Sequence, residues 1–190
     1  MSTKKNKFNQ KDHYYMNLAF NLARDQSGLT GPNPPVGCVI VKNDEVISIG
    51  QTGKNGSPHA EYNAIKSCKE NLKGSKMYVS LEPCTHYGKT PPCSNIIIKS
   101  QIKEVIFPII DVDNKTKAKS FKIFKSKNIK VKCGILKKEA KKIYKPYIYN
   151  RVKKLPFVTG KLAISKDNFI YSKKKRITNK HSDNITHLLR

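Results

Sequence analysis

Three potential metal ligands each stand directly behind a proline: Pro58-His59, Pro83-Cys84 and Pro92-Cys93. Any fold open to this chain has to bring them to one point. One imidazole and two thiolates close three corners of a zinc tetrahedron and leave the fourth for water, as in catalytic rather than structural zinc sites. Glu61 follows His59 by two positions and supplies a carboxylate able to move protons for that water. A lone His-x-Glu reads as helix surface, and a lone cysteine as small core filler. Prolines before all three ligands set that reading aside. Pro83 and Pro92 predict that each cysteine enters the first turn of a helix, where free N–H groups and the dipole favour a thiolate. Pro58 is expected at the first position of a helix running to about Lys69. Residues two apart inside a helix point about 200° away from each other. His59 and Glu61 can therefore share one water only if that helix begins at or just before Pro58.

Counting charge gives Glu61 its task. Two thiolates and a neutral imidazole cancel the formal charge of zinc, so the metal is a weaker acidifier than in a three-histidine site. A carboxylate that accepts the water's proton, and later protonates a departing amine, makes up the difference. Attack on an amidine-like ring carbon followed by ammonia loss is hydrolytic deamination. Cys38, Cys68 and Cys133 fall on a strand, a helix and a strand end and are expected as core residues. Five cysteines without disulfide-framework spacing favour metal binding over bridging in a reducing compartment.

At 190 residues the chain accommodates one domain, or one domain and a fragment. It has no apolar run of bilayer length and no secretory leader in MSTKKNKFNQKDHYY, so a cytoplasmic protein without membrane contact is expected. The formal charge of +25 invites a nucleic-acid partner, yet only four of the 38 basic residues are arginine (Arg24, Arg151, Arg176 and Arg190). Groove readers favour the arginine fork. The lysines are spread through every segment, as in a composition bias, and nucleic acid is not expected as the partner. A positive field suits a small phosphorylated substrate.

Residues 1–11 are polar and expected to fray. Apolar spacing predicts a helix from Asp12, as N-cap, to Gly28, strands at 36–41 and 46–50, and the helix after Pro58. Further expectations are a strand at 77–81, a helix at 94–100, a strand at 105–110, a basic helix at 116–127, a strand at 129–131 and a helix at 136–149. Alternating strands and helices indicate a layered α/β sheet. After a basic linker at 151–154, residues 156–163 read as another strand. The segment between the two cysteines, Thr85 to Pro92, carries donors, a cation and a glycine, and could wrap a phosphate. Asn33, held between two prolines, is a pre-formed polar group for a heterocycle.

The His-x-Glu and Pro-Cys pair resembles the pattern of zinc nucleobase deaminases, except that eight residues rather than two separate Cys84 from Cys93. Together, Pro32-Asn33-Pro34-Pro35-Val36-Gly37, His59-Ala60-Glu61 and Leu81-Glu82-Pro83-Cys84-Thr85-His86-Tyr87-Gly88-Lys89-Thr90-Pro91-Pro92-Cys93 closely resemble the RibD family of riboflavin biosynthesis. That family pairs an N-terminal pyrimidine deaminase with a C-terminal reductase. The resemblance implies a three-layer α-β-α, cytidine-deaminase-like fold with a mixed central sheet over residues 12–150. It implies one zinc held by His59, Cys84 and Cys93, with Glu61 as the proton shuttle. Asn33 would touch the pyrimidine, and His86 and Lys89 would lie near the phosphate. The implied substrate is 2,5-diamino-6-ribosylamino-4(3H)-pyrimidinone 5′-phosphate, which loses its 2-amino group.

Two stretches depart from the family pattern. Asp111-Val112-Asp113-Asn114-Lys115-Thr116 replaces an Asp-Pro-Asn-Pro type of turn, and Asn168 replaces a glycine. Residues 151–190 resemble a linker and the opening of the reductase domain. No NADPH-dependent reductase activity is expected from this polypeptide, and an unpaired strand after residue 155 makes a homo-oligomer possible. The competing readings are a deaminase of another nucleoside or tRNA base, against which the wide cysteine gap speaks, and a zinc-stabilised nucleic-acid-binding protein. Arginine scarcity and the open fourth metal position speak against the latter.

Overall fold

The computed structural model describes residues 7–88, 90–170 and 176–188. Two compact units are present, Met1–Leu155 and Pro156–Arg190. The first is built on a five-stranded sheet in the order β2-β1-β3-β4-β5. Its strands are β1 (Gly37–Lys42), β2 (Glu45–Gln51), β3 (Lys76–Val79), β4 (Glu104–Phe107) and β5 (Lys130–Cys133). β1 runs antiparallel to both β2 and β3, whereas β3, β4 and β5 are parallel, so the sheet is mixed.

Side chains alternate across this sheet because successive Cβ atoms point to opposite faces. Val39, Val41, Tyr78 and Ile106 enter one core with Met16, Phe20, Ala140 and Tyr144. Cys38, Ile40, Met77, Val79, Val105 and Phe107 enter the other with Ala60, Ala64, Ile97 and Phe124. Helices α1 (Gln10–Asp25) and α5 (Lys137–Ile143) belong to the first core. Helices α2 (Ala60–Ser67), α3 (Cys93–Lys99) and α4 (Lys119–Ser126) belong to the second. The expected three-layer α-β-α arrangement is the one observed. Gly50 lets α2 lie directly on β2: a Cβ there would collide with the backbone of Ala60 and Ala64.

Several boundaries correct the reading of the sequence. α1 starts at Gln10 rather than Asp12. Asn9 is its N-cap, and Asp12 closes the capping box from the third helical position. The segment expected to fray thus contributes Gln10 and Lys11 to a helix. The helix expected over 116–127 begins only at Lys119, because residues 111–118 are drawn onto a buried carboxylate. The helix expected over 136–149 is split at Tyr144 into α5 and α6 (Lys145–Lys153), Pro146 standing in the first turn of α6.

In the second unit, residues 156–163 form no strand, since no neighbouring strand among the described residues offers them a ladder. That unit contains a turn in which Ser165 N–H donates to the Phe169 carbonyl (2.9 Å), and helix α7 (Lys180–Leu188). No helix among the described residues is long and apolar enough to cross a membrane.

Candidate active site

Two helix mouths and one loop meet at the ends of β1 and β3. His59 is the N-cap of α2, with extended backbone (φ −72°, ψ 156°), and Ala60 begins the helix. The start therefore lies two residues beyond Pro58, which corrects the expected first-turn proline. This resolves the angular problem: His59 stands outside the helix, so it and Glu61 in the first turn can face the same space. Cys93 opens α3 behind Pro92, as expected. Cys84 instead lies in the loop after β3, contrary to the helical placement read from Pro83. Its backbone is tied to α3 all the same, since its carbonyl accepts from Ser94 N–H (3.1 Å).

The three ligand atoms lie within 4.8 Å of one another. His59 Nδ1 is 3.5 Å from Cys84 Sγ and 3.3 Å from Cys93 Sγ. Zinc bonds of ordinary length at a tetrahedral angle set a nitrogen–sulfur separation of about 3.6 Å, so the donor set fits that ion. Cys93 N–H donates to Cys84 Sγ at 3.2 Å, the kind of bond that steadies a thiolate. Cys84 is drawn down to about 4 by the Cys93 thiol and then by His59. Cys93 is pushed well up by its bond to Cys84 and by burial, and His59 is raised to about 9 by its contact with Cys84. A divalent ion takes the place of these shared protons. Cys38 and Cys133 have thiols pushed up by burial, which suits core residues rather than ligands.

Glu61 is buried (3% exposed), and its carboxyl is raised to about 7 by that burial and then by the Cys84 charge, with His59 pulling the other way. It lines a cleft of about 270 Å³ together with His59, Cys84, Asn33 and His86. Asn33 is held rigidly. Its Nδ2 donates to the Gly56 carbonyl (3.2 Å), and its own carbonyl accepts from Thr30 Oγ (2.7 Å). Gly56 has φ +84°, and a Cβ at that position would collide with the Asn33 amide, so glycine is required twice over. His86 Nδ1 is 3.1 Å from Thr116 Oγ1. Lys89 lies outside the described residues.

The far wall is formed by residues that the sequence reading did not select: Glu82, Asp111, Asp113, Thr116, Tyr147 and Arg151. Glu82 Oε2 accepts from the N–H groups of Asp111 (3.0 Å) and Ala118 (3.0 Å), and Oε1 accepts from Ser120 Oγ (2.6 Å) and Ser120 N–H (3.3 Å). Tyr147 Oη donates to Asp111 Oδ1 (2.9 Å), which also accepts from Asp113 N–H (3.0 Å). Burial raises the Asp111 carboxyl. The Asp-x-Asp spacing is visible in the sequence as turn chemistry. Nothing local marks Tyr147 or Arg151, whose place comes from α6 packing beside that turn.

A mixed sheet in three layers, with a His/Cys/Cys donor set at two helix mouths beside a buried glutamate, defines a zinc-binding deaminase domain. Residues 9–109 match the family described as the cytidine and deoxycytidylate deaminase zinc-binding region, and the chain belongs to that family. Among curated proteins, a diaminohydroxyphosphoribosylamino-pyrimidine deaminase of Buchnera aphidicola is 44% identical over 137 residues, covering 72% of this chain and 93% of that protein. The riboflavin biosynthesis protein RibD of Aquifex aeolicus is 37% identical over 182 residues, covering 94% of this chain and 51% of its own length. The crystal structure of a Thermotoga maritima diaminohydroxyphosphoribosylaminopyrimidine deaminase/5-amino-6-(5-phosphoribosylamino)uracil reductase is similar with a TM-score of 0.86 and 38% identity. That match covers 94% of this chain and 52% of the other. The chain spans about half the length of the RibD proteins it matches.

Proposed function

We propose that residues 12–150 catalyse hydrolytic deamination of 2,5-diamino-6-ribosylamino-4(3H)-pyrimidinone 5′-phosphate, releasing the 2-amino group as ammonia. The observation that carries this reading is the buried Glu61 beside the clustered ligand atoms of His59, Cys84 and Cys93, with Glu61, His59 and Cys84 lining one cleft. The Buchnera relative, whose name states this activity and most of whose length the chain covers, supports it. Zinc, when bound by those three residues, supplies a Lewis acid and a means of activating water.

The chain's own groups do the rest. Glu61, with a carboxyl raised toward neutrality, accepts a proton from the attacking water and delivers it to the ring nitrogen. It then takes the proton left on the added hydroxyl and passes it to the departing amine, so that ammonia leaves as the carbonyl forms. The Asn33 side chain, fixed by Gly56, orients the pyrimidine edge with its amide oxygen. His86, anchored to Thr116, and Lys89 serve the phosphate end. Glu61→Gln is expected to retain zinc and lose at least about 10²-fold in turnover. Ammonia release from the diamino substrate measures this, and full activity in that variant defeats the mechanism.

Residues 156–190 are read as the opening of a reductase-like unit, on the strength of the Thermotoga bifunctional structure, whose match extends over 94% of this chain; residues 151–153, expected in a linker, instead complete α6. NADPH oxidation, assayed separately, tests that portion. Self-association is part of the reading, because Val158, Leu162, Phe169 and Ile170 are exposed in the second unit. Sedimentation velocity reports it.

A further inference from the structure

Arg151 lines the cleft from the last turn of α6. Its Nε is buried and has no hydrogen-bond partner among the described residues. The nearest counter-charge, Asp113 Oδ2, is 3.8 Å from Nε, which is an attraction of charges and not a hydrogen bond. Asp113 is fixed by a second contact, its Oδ1 accepting from Lys115 N–H at 3.0 Å. The guanidinium also lies over the Tyr147 ring, 5.4 Å from its centroid, and Tyr147 is anchored through Asp111. Tyr147 and Asp113 thus hold the guanidinium in place without consuming its Nε–H. A buried donor left unpaired is costly, and a ligand acceptor relieves that cost.

From Arg151 the rim continues through Asp113, whose carbonyl accepts from Thr116 N–H (2.9 Å), to Thr116 and its contact with His86. This rim is chemically distinct from the floor, where Asn33, Glu61 and the metal ligands suit a heterocycle. We propose that Arg151 is a specificity-determining residue that binds the phosphate of the substrate, exchanging its loose attraction to Asp113 for charge-assisted hydrogen bonds to phosphate oxygens. The inference rests on the reading of the chain as a deaminase of a phosphorylated aminopyrimidine. A planar fork of donors matches phosphate geometry. A partly exposed ion pair at 3.8 Å is weak, so a phosphate carrying about −1.5 to −2 charge displaces Asp113 from it. Asp113 is then a competitor that keeps the arginine in register until substrate arrives.

Two substitutions of opposite sign test this. Arg151→Ala is expected to raise KM for the phosphorylated substrate about tenfold or more, with kcat changed by less than about threefold. KM for the same aminopyrimidine riboside without its phosphate is expected to move less than about twofold. Asp113→Asn keeps the acceptor for Lys115 and is expected to lower KM for the phosphorylated substrate. If both variants raise KM, or if phosphorylated and unphosphorylated substrates suffer equally, Arg151 is a structural partner of Asp113 and the proposal is overturned.

Ligand-observed NMR of ribose 5-phosphate on the zinc-loaded protein reads the anion subsite without turnover. Weaker binding in Arg151→Ala supports the proposal even where the wild type releases no ammonia from the diamino substrate, a result that counts against the deaminase reading alone. Unchanged binding in Arg151→Ala, or none to the wild type, overturns it. Should the alanine variant fail to fold, Arg151→Lys is expected to show an intermediate loss in the same two measurements, and wild-type behaviour of the lysine variant in both counts against the proposal.

Discussion

Removing the Glu82 carboxylate should detach the wall of the cleft from its floor. Glu82 is buried, and all four groups that donate to it come from residues 111–120, the stretch that carries Asp111, Asp113 and Thr116 into the cleft. In Glu82→Ala the N–H groups of Asp111 and Ser120 lose their acceptor in a buried setting, at about 1–3 kcal/mol each. Ala118 is exposed, so its N–H finds water, and the Ser120 hydroxyl can rotate to another partner. Against this stands relief from burying a charge, the burial that raises the Glu82 carboxyl. The net loss is expected at about 2–4 kcal/mol.

Glu82→Gln is milder. Its carbonyl replaces Oε2 for Asp111 and Ala118, and its amide confronts Ser120, whose hydroxyl can turn to accept. Only the Ser120 N–H is left unpaired, for about 1–2 kcal/mol. Urea unfolding of the zinc-loaded proteins should therefore rank wild type above glutamine above alanine. Both variants should raise KM while zinc stays near one per chain, because the carboxylate bonds to residues 111–120 and to none of the three ligands. Equal stability of the two variants, or both within about 0.5 kcal/mol of wild type, would refute the view that this carboxylate organises the wall.

Three further outcomes follow from the same geometry. Stripping zinc with a chelator should lower the melting temperature by roughly 8–16 °C if the metal stands a thousandfold above its dissociation constant. The melting temperature of Cys93→Ser should not respond to added zinc, and a response equal to wild type would show that the metal sits elsewhere. Burial raises the Asp111 carboxyl above its unfolded value, so its protonated form favours the fold, and that contribution is lost as pH rises from about 4 through the raised folded value. Relative to Asp111→Asn, the wild type should lose stability across that interval. A flat difference between the two unfolding free energies would contradict the assignment.

The metal ligands and Glu61 are legible in the bare sequence because coordination chemistry restricts the residue types. Few side chains can ligate zinc, and prolines in front of them narrow the backbone. The layered sheet is legible for a similar reason, since near-continuous apolar runs at 36–41 and 77–81 mark strands buried on both faces. What fails is local extrapolation of helices and strands past the point where tertiary demands take over. Thr116–Ala118 have helical character in sequence, yet Glu82 claims the backbone donors around them. Residues 156–163 read like a strand, but a ladder needs a partner, and no pattern within one strand reveals whether one exists.

Tyr147 and Arg151 show the limit most clearly. Spaced four apart on a helix, they share a face, and the same pairing on any solvent-exposed helix would look identical in sequence. Their meaning depends on the 111–116 turn lying beside that face, and that turn is held by Glu82, 29 positions from Asp111 and next to Pro83-Cys84. A single buried carboxylate thus couples the cysteine loop to the far wall. The metal end of the cleft is written into residue identity, whereas the anion end exists only once the chain has folded around Glu82. Variation among related deaminases that keep the same metal ligands should therefore concentrate at the anion end, where substrate selectivity can change without disturbing the chemistry at Glu61.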